Sequence, residues 1–210
     1  MKTYKNFITF EGIDFSGKTT QHQRLLKRLK SMNVEVHFLR EPGGTVISEK
    51  IREILLDKSH HEMHPRTEIL LYSAARAQVV HQTLLPLLEA GKHVILDRFF
   101  DSTTVYQGYG RGLDIEFVTS LNRFATSGLL PHKTFLIDIS PQTALRRRTT
   151  SGRSSDRLDN ENLAFYQKIY NAYHKLVAEN PGRYIIIPGE QSMDVIESLI
   201  LEKIREVWDL

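Results

Sequence analysis

Phe7-Ile8-Thr9-Phe10-Glu11-Gly12-Ile13-Asp14-Phe15-Ser16-Gly17-Lys18-Thr19-Thr20 is the stretch that decides how this chain folds. The apolar run Phe7–Phe10 reads as a buried strand, and a helix-period segment follows from residue 18. Between them Gly12 to Thr19 fits G-x-x-x-x-G-K-[ST] completely. Gly12 and Gly17 can take dihedrals that other residues resist, so successive N–H groups can face phosphate oxygens. The helix start adds its positive dipole end. Lys18 then bridges the β- and γ-phosphates of a nucleotide, and the Thr19 hydroxyl ligates Mg²⁺. A glycine-rich turn with a surface lysine is the bland alternative, but it does not call for a strand before and a helix after.

Outward from this loop the same alternation continues. Short apolar runs at Val34–Leu39, His93–Leu96, Thr134–Ile139 and Tyr184–Ile187 show little polar interleaving, as parallel strands covered on both faces should. Helix-period segments lie at about 46–57, 66–90, 114–127, 141–149, 159–179 and 192–208. The reading is an α/β fold with a five-stranded parallel sheet flanked by helices, in one domain over residues 1–210. Ligands of such sheets bind beyond the carboxyl ends of the strands. The 210 residues contain no cysteine, which excludes a disulfide framework and thiol chemistry. MKTYKNFITFEG leads into no apolar stretch of signal length, so a cytoplasmic, non-membrane protein is expected. The net charge of +3 is too mild to argue for nucleic acid or an anionic membrane.

A phosphate loop narrows the ligand without naming the reaction. The bound Mg²⁺ needs an acidic partner at a neighbouring strand end, and Asp97 and Asp138 both qualify. Asp97 is preferred because Arg98 accompanies it with a cation for the same phosphates. Taken alone, Asp97-Arg98 could equally be an ion pair or a helix cap.

The sequence resembles the thymidylate kinases over nearly its whole length. The matching segments are Phe10 to Thr20, Arg40-Glu41-Pro42-Gly43-Gly44-Thr45, Ser73-Ala74-Ala75-Arg76, Asp97-Arg98, Tyr106-Gln107-Gly108 and Asp156-Arg157-Leu158-Asp159. The resemblance implies a P-loop nucleoside monophosphate kinase-like fold that moves phosphate from ATP, with Mg²⁺, onto dTMP to give dTDP. It places ATP on Gly12, Ile13, Asp14, Phe15, Ser16, Gly17, Lys18, Thr19, Thr20 and Gln191. It has Asp14 accept from the deoxyribose 3′-hydroxyl, Arg52 and Arg98 clamp the monophosphate, and Tyr106 crowd out a ribose 2′-hydroxyl. Tyr72 stands where relatives usually place phenylalanine against thymine, and it keeps the aromatic face. Arg76 would donate to a thymine carbonyl, with Thr103 and Gln107 reading the rest of the base edge. A cis peptide at Glu41-Pro42 and a homodimer are implied in the same way.

One branch of the family carries a basic residue after the P-loop aspartate. Here that position is Phe15, which cannot donate to a phosphate. The resemblance therefore implies a catalytic arginine in a mobile lid at about 147–158, alongside Lys18, Arg98 and Asp97. Arg153 is the first choice, and Arg146, Arg147 and Arg148 could instead be a solvated helix face. A regulatory GTPase would need an Asn-Lys-x-Asp guanine motif, which is absent. A kinase for another monophosphate would share the loop but not Tyr72, Arg76 and Gln107. A nucleic-acid module built on the arginine cluster would leave the loop unexplained.

Overall fold

Five parallel strands run in the order β2-β3-β1-β4-β5 in the computed structural model, which describes residues 2–150, 152 and 161–210. They are β1 (Lys2–Glu11), β2 (Val36–Arg40), β3 (His93–Asp97), β4 (Leu129–Asp138) and β5 (Tyr184–Pro188). The P-loop strand β1 is central. Register sets Phe10 beside both Asp97 and Phe135, so β1 and β3 end within one residue of each other and β4 runs two residues beyond β1.

Side chains alternate across this sheet, and each set meets a helical layer. Ile8, Phe10, Ile95, Phe135 and Ile187 pack with Leu25 and Leu29 of α1 (Lys18–Ser31) and with Ile196, Ile200 and Ile204 of α9 (Met193–Trp208). On the other face Phe7, Val94 and Leu96 meet Val80, Leu84 and Leu88, which belong to one long helical rod. That rod is α3 (Pro65–Val79), a π-helical turn at Val80–Leu84 and α4 (Leu85–Glu89). Leu136 meets Tyr166, Ile169 and Tyr173 of α8 (Leu163–Glu179). Helix starts follow side-chain capping. Thr45, Asp114, Asn162 and Ser192 accept N–H bonds at α2 (Val46–Leu56), α6 (Ile115–Ala125), α8 and α9.

The expected segments are all found, with β2 shifted to Val36–Arg40, α8 running over Leu163–Glu179, and three larger differences. β1 and β4 begin earlier than their apolar runs, at Lys2 and Leu129, because Lys2, Thr3 and Tyr4 pair with Leu129, Leu130 and Pro131 regardless of polarity. The segment expected at 66–90 is interrupted by its π-helical turn. A helix was also missed: α5 (Phe100–Thr103) runs into a second π-helical segment, Thr104–Gly110. Its Gly, Tyr and Gln content reads as loop. Gly108 and Gly110 nevertheless seat it, since a Cβ there would come within 2.8 Å of Ile115 and 2.9 Å of Ile169 and Phe165. Helix α7 (Pro141–Thr150) leads towards the expected lid. Among the described residues no helix is long and apolar enough to cross a membrane.

Candidate active site

β1 lies where the strand order reverses, and a cleft of about 790 Å³ opens beyond the carboxyl ends there. The P-loop forms one wall. Gly12 adopts φ 143°, and a Cβ on it would stand 2.6 Å from the Ile137 carbonyl. Gly17 caps α1 in the left-handed region at φ 98°. Phe15 takes φ 63°, unusual for a bulky residue and a cost of about 1–3 kcal/mol that surrounding structure must offset. Ile13 turns its side chain into the core beside Val105 and Leu136, so only its backbone belongs to the loop. Ser16 and Lys18 are buried, while Thr19 and Thr20 are exposed on the cleft.

Lys18 Nζ donates to the carbonyls of Gly12 (3.0 Å) and Ile13 (3.2 Å) and to Ser16 Oγ (3.4 Å). Burial, reinforced by Arg98, lowers its ammonium to about 8, and Asp97, Asp14 and Glu11 pull the other way. Burial would raise the Asp97 carboxyl, but His22, Lys18 and Arg98 hold it at about 2. His22 Nδ1, on α1, lies 3.5 Å from Asp97 Oδ2. Asp97 Oδ1 is buried and has no hydrogen-bond partner among the described residues. The rival Asp138 faces α8 instead, with His174 Nε2 3.2 Å away.

Arg98 sits at φ 64° and reaches back over the loop. It donates to Ser102 Oγ (2.9 Å), Gly12 O (3.2 Å) and Asp14 Oδ1 (2.7 Å). Tyr106 donates to the other oxygen of Asp14 at 2.9 Å, and Arg98 lies 5.2 Å over its ring. Asp14, Arg98 and Tyr106 thus form one unit lining the cleft.

Glu11 holds the strained turn in place, a role the sequence did not disclose. Its carboxylate accepts from Phe99 N (2.8 Å), Ser102 N (3.2 Å), Ser102 Oγ (2.6 Å) and Tyr173 OH (2.7 Å). Burial and neighbouring Asp101 raise its pKa against Arg98 and these donors. Asp101 is itself held by Arg183 Nη2 at 2.9 Å. Glu11, Ser102, His22, Tyr173 and Arg183 are scattered along the chain, and only the fold brings them together.

The far end of the cleft is lined by Arg52, Tyr72, Arg76, Thr103 and Gln107. Glu41-Pro42 is cis, as the resemblance implied, and the Pro42 carbonyl accepts from Arg52 Nη1 at 3.1 Å. Arg76 departs from the expectation of a donor held ready for a base. It is buried, and every guanidinium nitrogen already meets protein. Nε donates to Glu41 Oε2 (2.8 Å), Nη1 to Thr103 Oγ1 and Asn122 Oδ1 (both 3.0 Å), and Nη2 to Phe99 O (3.1 Å). Burying an arginine requires such partners, and that demand decides where its donors go. Burial pushes the paired Glu41 carboxyl up to about 7 against the pull of Arg76.

At the P-loop end, Arg147 donates to Ser16 O (3.1 Å) and Gly189 O (2.9 Å), with Gln191 and Met193 nearby on the same cleft. Arg146 is exposed and Arg148 donates to Glu161 O (2.8 Å). Arg153 and most of the expected lid lie outside the described residues.

The sequence model of the thymidylate kinase family matches residues 10–200. The chain is 46% identical over 200 residues to a thymidylate kinase of Caldanaerobacter subterraneus subsp. tengcongensis, covering 95% of each. It is 44% identical over 205 residues to that of Chlorobaculum tepidum, covering 94% of this chain and 95% of the other. The crystal structure of thymidylate kinase from Ehrlichia chaffeensis superposes with a TM-score of 0.77 at 29% identity, over 97% of this chain and 99% of that one. A P-loop cleft on this sheet order, matched along almost its full length, means that the chain belongs to the thymidylate kinase family, whose members phosphorylate dTMP to dTDP.

Proposed function

We propose that the chain transfers the γ-phosphate of ATP, presented with Mg²⁺, to dTMP, with ATP on the P-loop and the nucleoside against Tyr72, Tyr106 and Gln107. One observation carries this assignment of ends. A single cleft is lined by Lys18, Thr19, Gln191, Tyr72 and Gln107, and Arg98 and Asp14 tie the P-loop to Tyr106, the neighbour of Gln107. The adenine side falls to Arg147, Gln191 and Met193. The monophosphate falls to Arg52 and Arg98. Asp14 takes the 3′-hydroxyl, and Tyr106 stands against the sugar. Arg76 reaches a thymine carbonyl only by sharing a donor now held by Thr103, Asn122 or Phe99.

Phosphoryl transfer asks for alignment and charge neutralisation more than covalent chemistry. The acceptor phosphate is already ionised, so no general base is needed. Lys18 leaves the loop carbonyls for phosphate oxygens, which restores its ordinary basicity. Thr19 and the unpartnered Asp97 oxygen suit a hard ion held mainly by phosphates and water. Mg²⁺ would supply charge neutralisation there. Arg153 is the proposed lid donor, since Phe15 offers none.

A second copy of the chain is the proposed partner. Leu70 and Ala77 lie seven residues apart on α3, as do Phe117 and Phe124 on α6, so each pair shares a helical face. Leu70, Phe117 and Phe124 are 53%, 51% and 80% exposed, on two helices that pack against each other. Sedimentation should give a dimer that Phe124→Glu splits. For the reaction, ADP release is measured with ATP–Mg²⁺ against dTMP, dUMP, dCMP, dAMP and dGMP. A dTMP preference over dCMP, dAMP and dGMP of about 100-fold or more in kcat/KM is expected, because several buried donors and acceptors must all find partners. Comparable rates on dCMP or dGMP would refute the assignment.

A further inference from the structure

Gln107 is buried on the π-helical segment and lines the same cleft as Tyr72. An amide side chain can present its oxygen and nitrogen in either order, and the two orders read opposite base edges. Thymine offers an N3–H donor beside carbonyl acceptors. Cytosine offers an N3 acceptor beside an amino donor. A glutamine free to flip would pair with both.

Here it is not free to flip. Gln107 Nε2 donates to Glu68 Oε1 at 2.9 Å. Glu68, on the first turn of α3, is 1% exposed. A carboxylate accepts only, so the nitrogen must face it. Arg111 Nε donates to the same oxygen at 3.4 Å, while Arg111 Nη1 is anchored on Glu161 Oε1 at 2.6 Å. A flipped amide would set Oε1 against Glu68 Oε1, two acceptors in a dry site.

We propose that Glu68 is a positioning residue that locks Gln107 with its amide oxygen towards N3, so that the site accepts the imide edge of thymine and rejects the aminopyrimidine edge of cytosine. This rests on the reading above that the base of the monophosphate lies against Gln107. Glu68 has no substrate contact in this scheme. It acts on the choice between substrates rather than on transfer itself.

The test is kcat and KM for dTMP and dCMP in the intact enzyme. Glu68→Gln keeps the volume but can donate or accept, so Gln107 can turn. The dTMP/dCMP ratio of kcat/KM should then fall about tenfold or more, mainly through a lower KM for dCMP. The kcat on dTMP and KM for ATP should change less than about threefold. Glu68→Asp keeps the charge and withdraws the acceptor by one methylene, and should fall in between. In a Gln107→Leu background Glu68→Gln should leave the ratio unchanged. Equal losses on both substrates, or an unaltered ratio in either Glu68 variant, would overturn the proposal. A wild-type enzyme with no preference for dTMP over dCMP would instead sink the base assignment, which separates the two failures.

Discussion

Raising the pH should titrate Lys18 before ATP binds but not after. In the nucleotide-free loop its ammonium is buried against Arg98 and titrates at about 8, against an ordinary value of 10.5. Triphosphate oxygens supply the counter-charge, so binding should return the group to its ordinary range or above. That difference of roughly 2.5 units corresponds to about 3 kcal/mol of coupling between the proton and ATP. The sign follows from the depressed pKa of a base. Below about pH 8 the free protein holds the proton and binds well. At pH 9 only about a tenth of the molecules do, so affinity falls about tenfold and continues to fall by that factor per unit. The phosphates of ATP and dTMP ionise lower, leaving this window clear. kcat/KM for ATP, which reports the free enzyme, should therefore decline above pH 8 while kcat stays level. Calorimetry in two buffers of different ionisation enthalpy should register uptake of nearly one proton at pH 9. Lys18→Arg cannot titrate and should lose the limb. A wild-type kcat/KM for ATP that is flat to pH 9.5, or a limb that survives in Lys18→Arg, would refute the reasoning.

Asp97 titrates at about 2 in the folded protein against an ordinary 3.8. It should therefore contribute about 2 kcal/mol above pH 4, lost as pH falls through 2. Urea melts of Asp97→Asn and wild type should differ by about that much at pH 6 and converge near pH 2. Tyr106→Ala should narrow the gap in kcat/KM between dTMP and its ribonucleotide. Unchanged discrimination at full activity would show that Tyr106 is not the sugar gate. Arg153→Ala should lower kcat about 10²-fold with little change in dTMP affinity, since the lost contact forms in the transition state. Should Arg147→Ala or Arg148→Ala lose kcat instead, the lid donor has been misnamed.

The sheet and its covering helices were legible because each strand contains an apolar run and the longer helices keep their period, several with a side-chain cap. The helix over Phe100–Gly110 was not. Glycines at 108 and 110 signal a turn in isolation, whereas here they admit Ile115, Ile169 and Phe165. The P-loop and Asp97-Arg98 were readable for a local reason, since a phosphate loop is contiguous and Asp97 directly follows a strand's apolar run. The shell around them is not contiguous. Glu11, Ser102 and Tyr173 meet across the whole chain, and no spacing announces that meeting.

Arg76 shows most clearly why a motif can locate a residue without giving its state. Four residues after Tyr72, it was expected to offer donors to a base. Burial set a stronger condition, because a guanidinium at 2% exposure without partners would cost far more than one base hydrogen bond returns. Glu41, Thr103, Asn122 and Phe99 therefore hold it. Arg76→Ala should cost about 3–5 kcal/mol of stability, since Glu41, Thr103, Asn122 and the Phe99 carbonyl all lose a buried partner. Loss of activity in that variant would say little about thymine recognition. Gln107 is the better probe of the base, since only its nitrogen is committed, and committed in one orientation by Glu68. The same logic orders the whole cleft. Groups fixed by protein contacts shape it, and binding is the proposed work of groups such as Lys18, which would exchange protein partners for a phosphate.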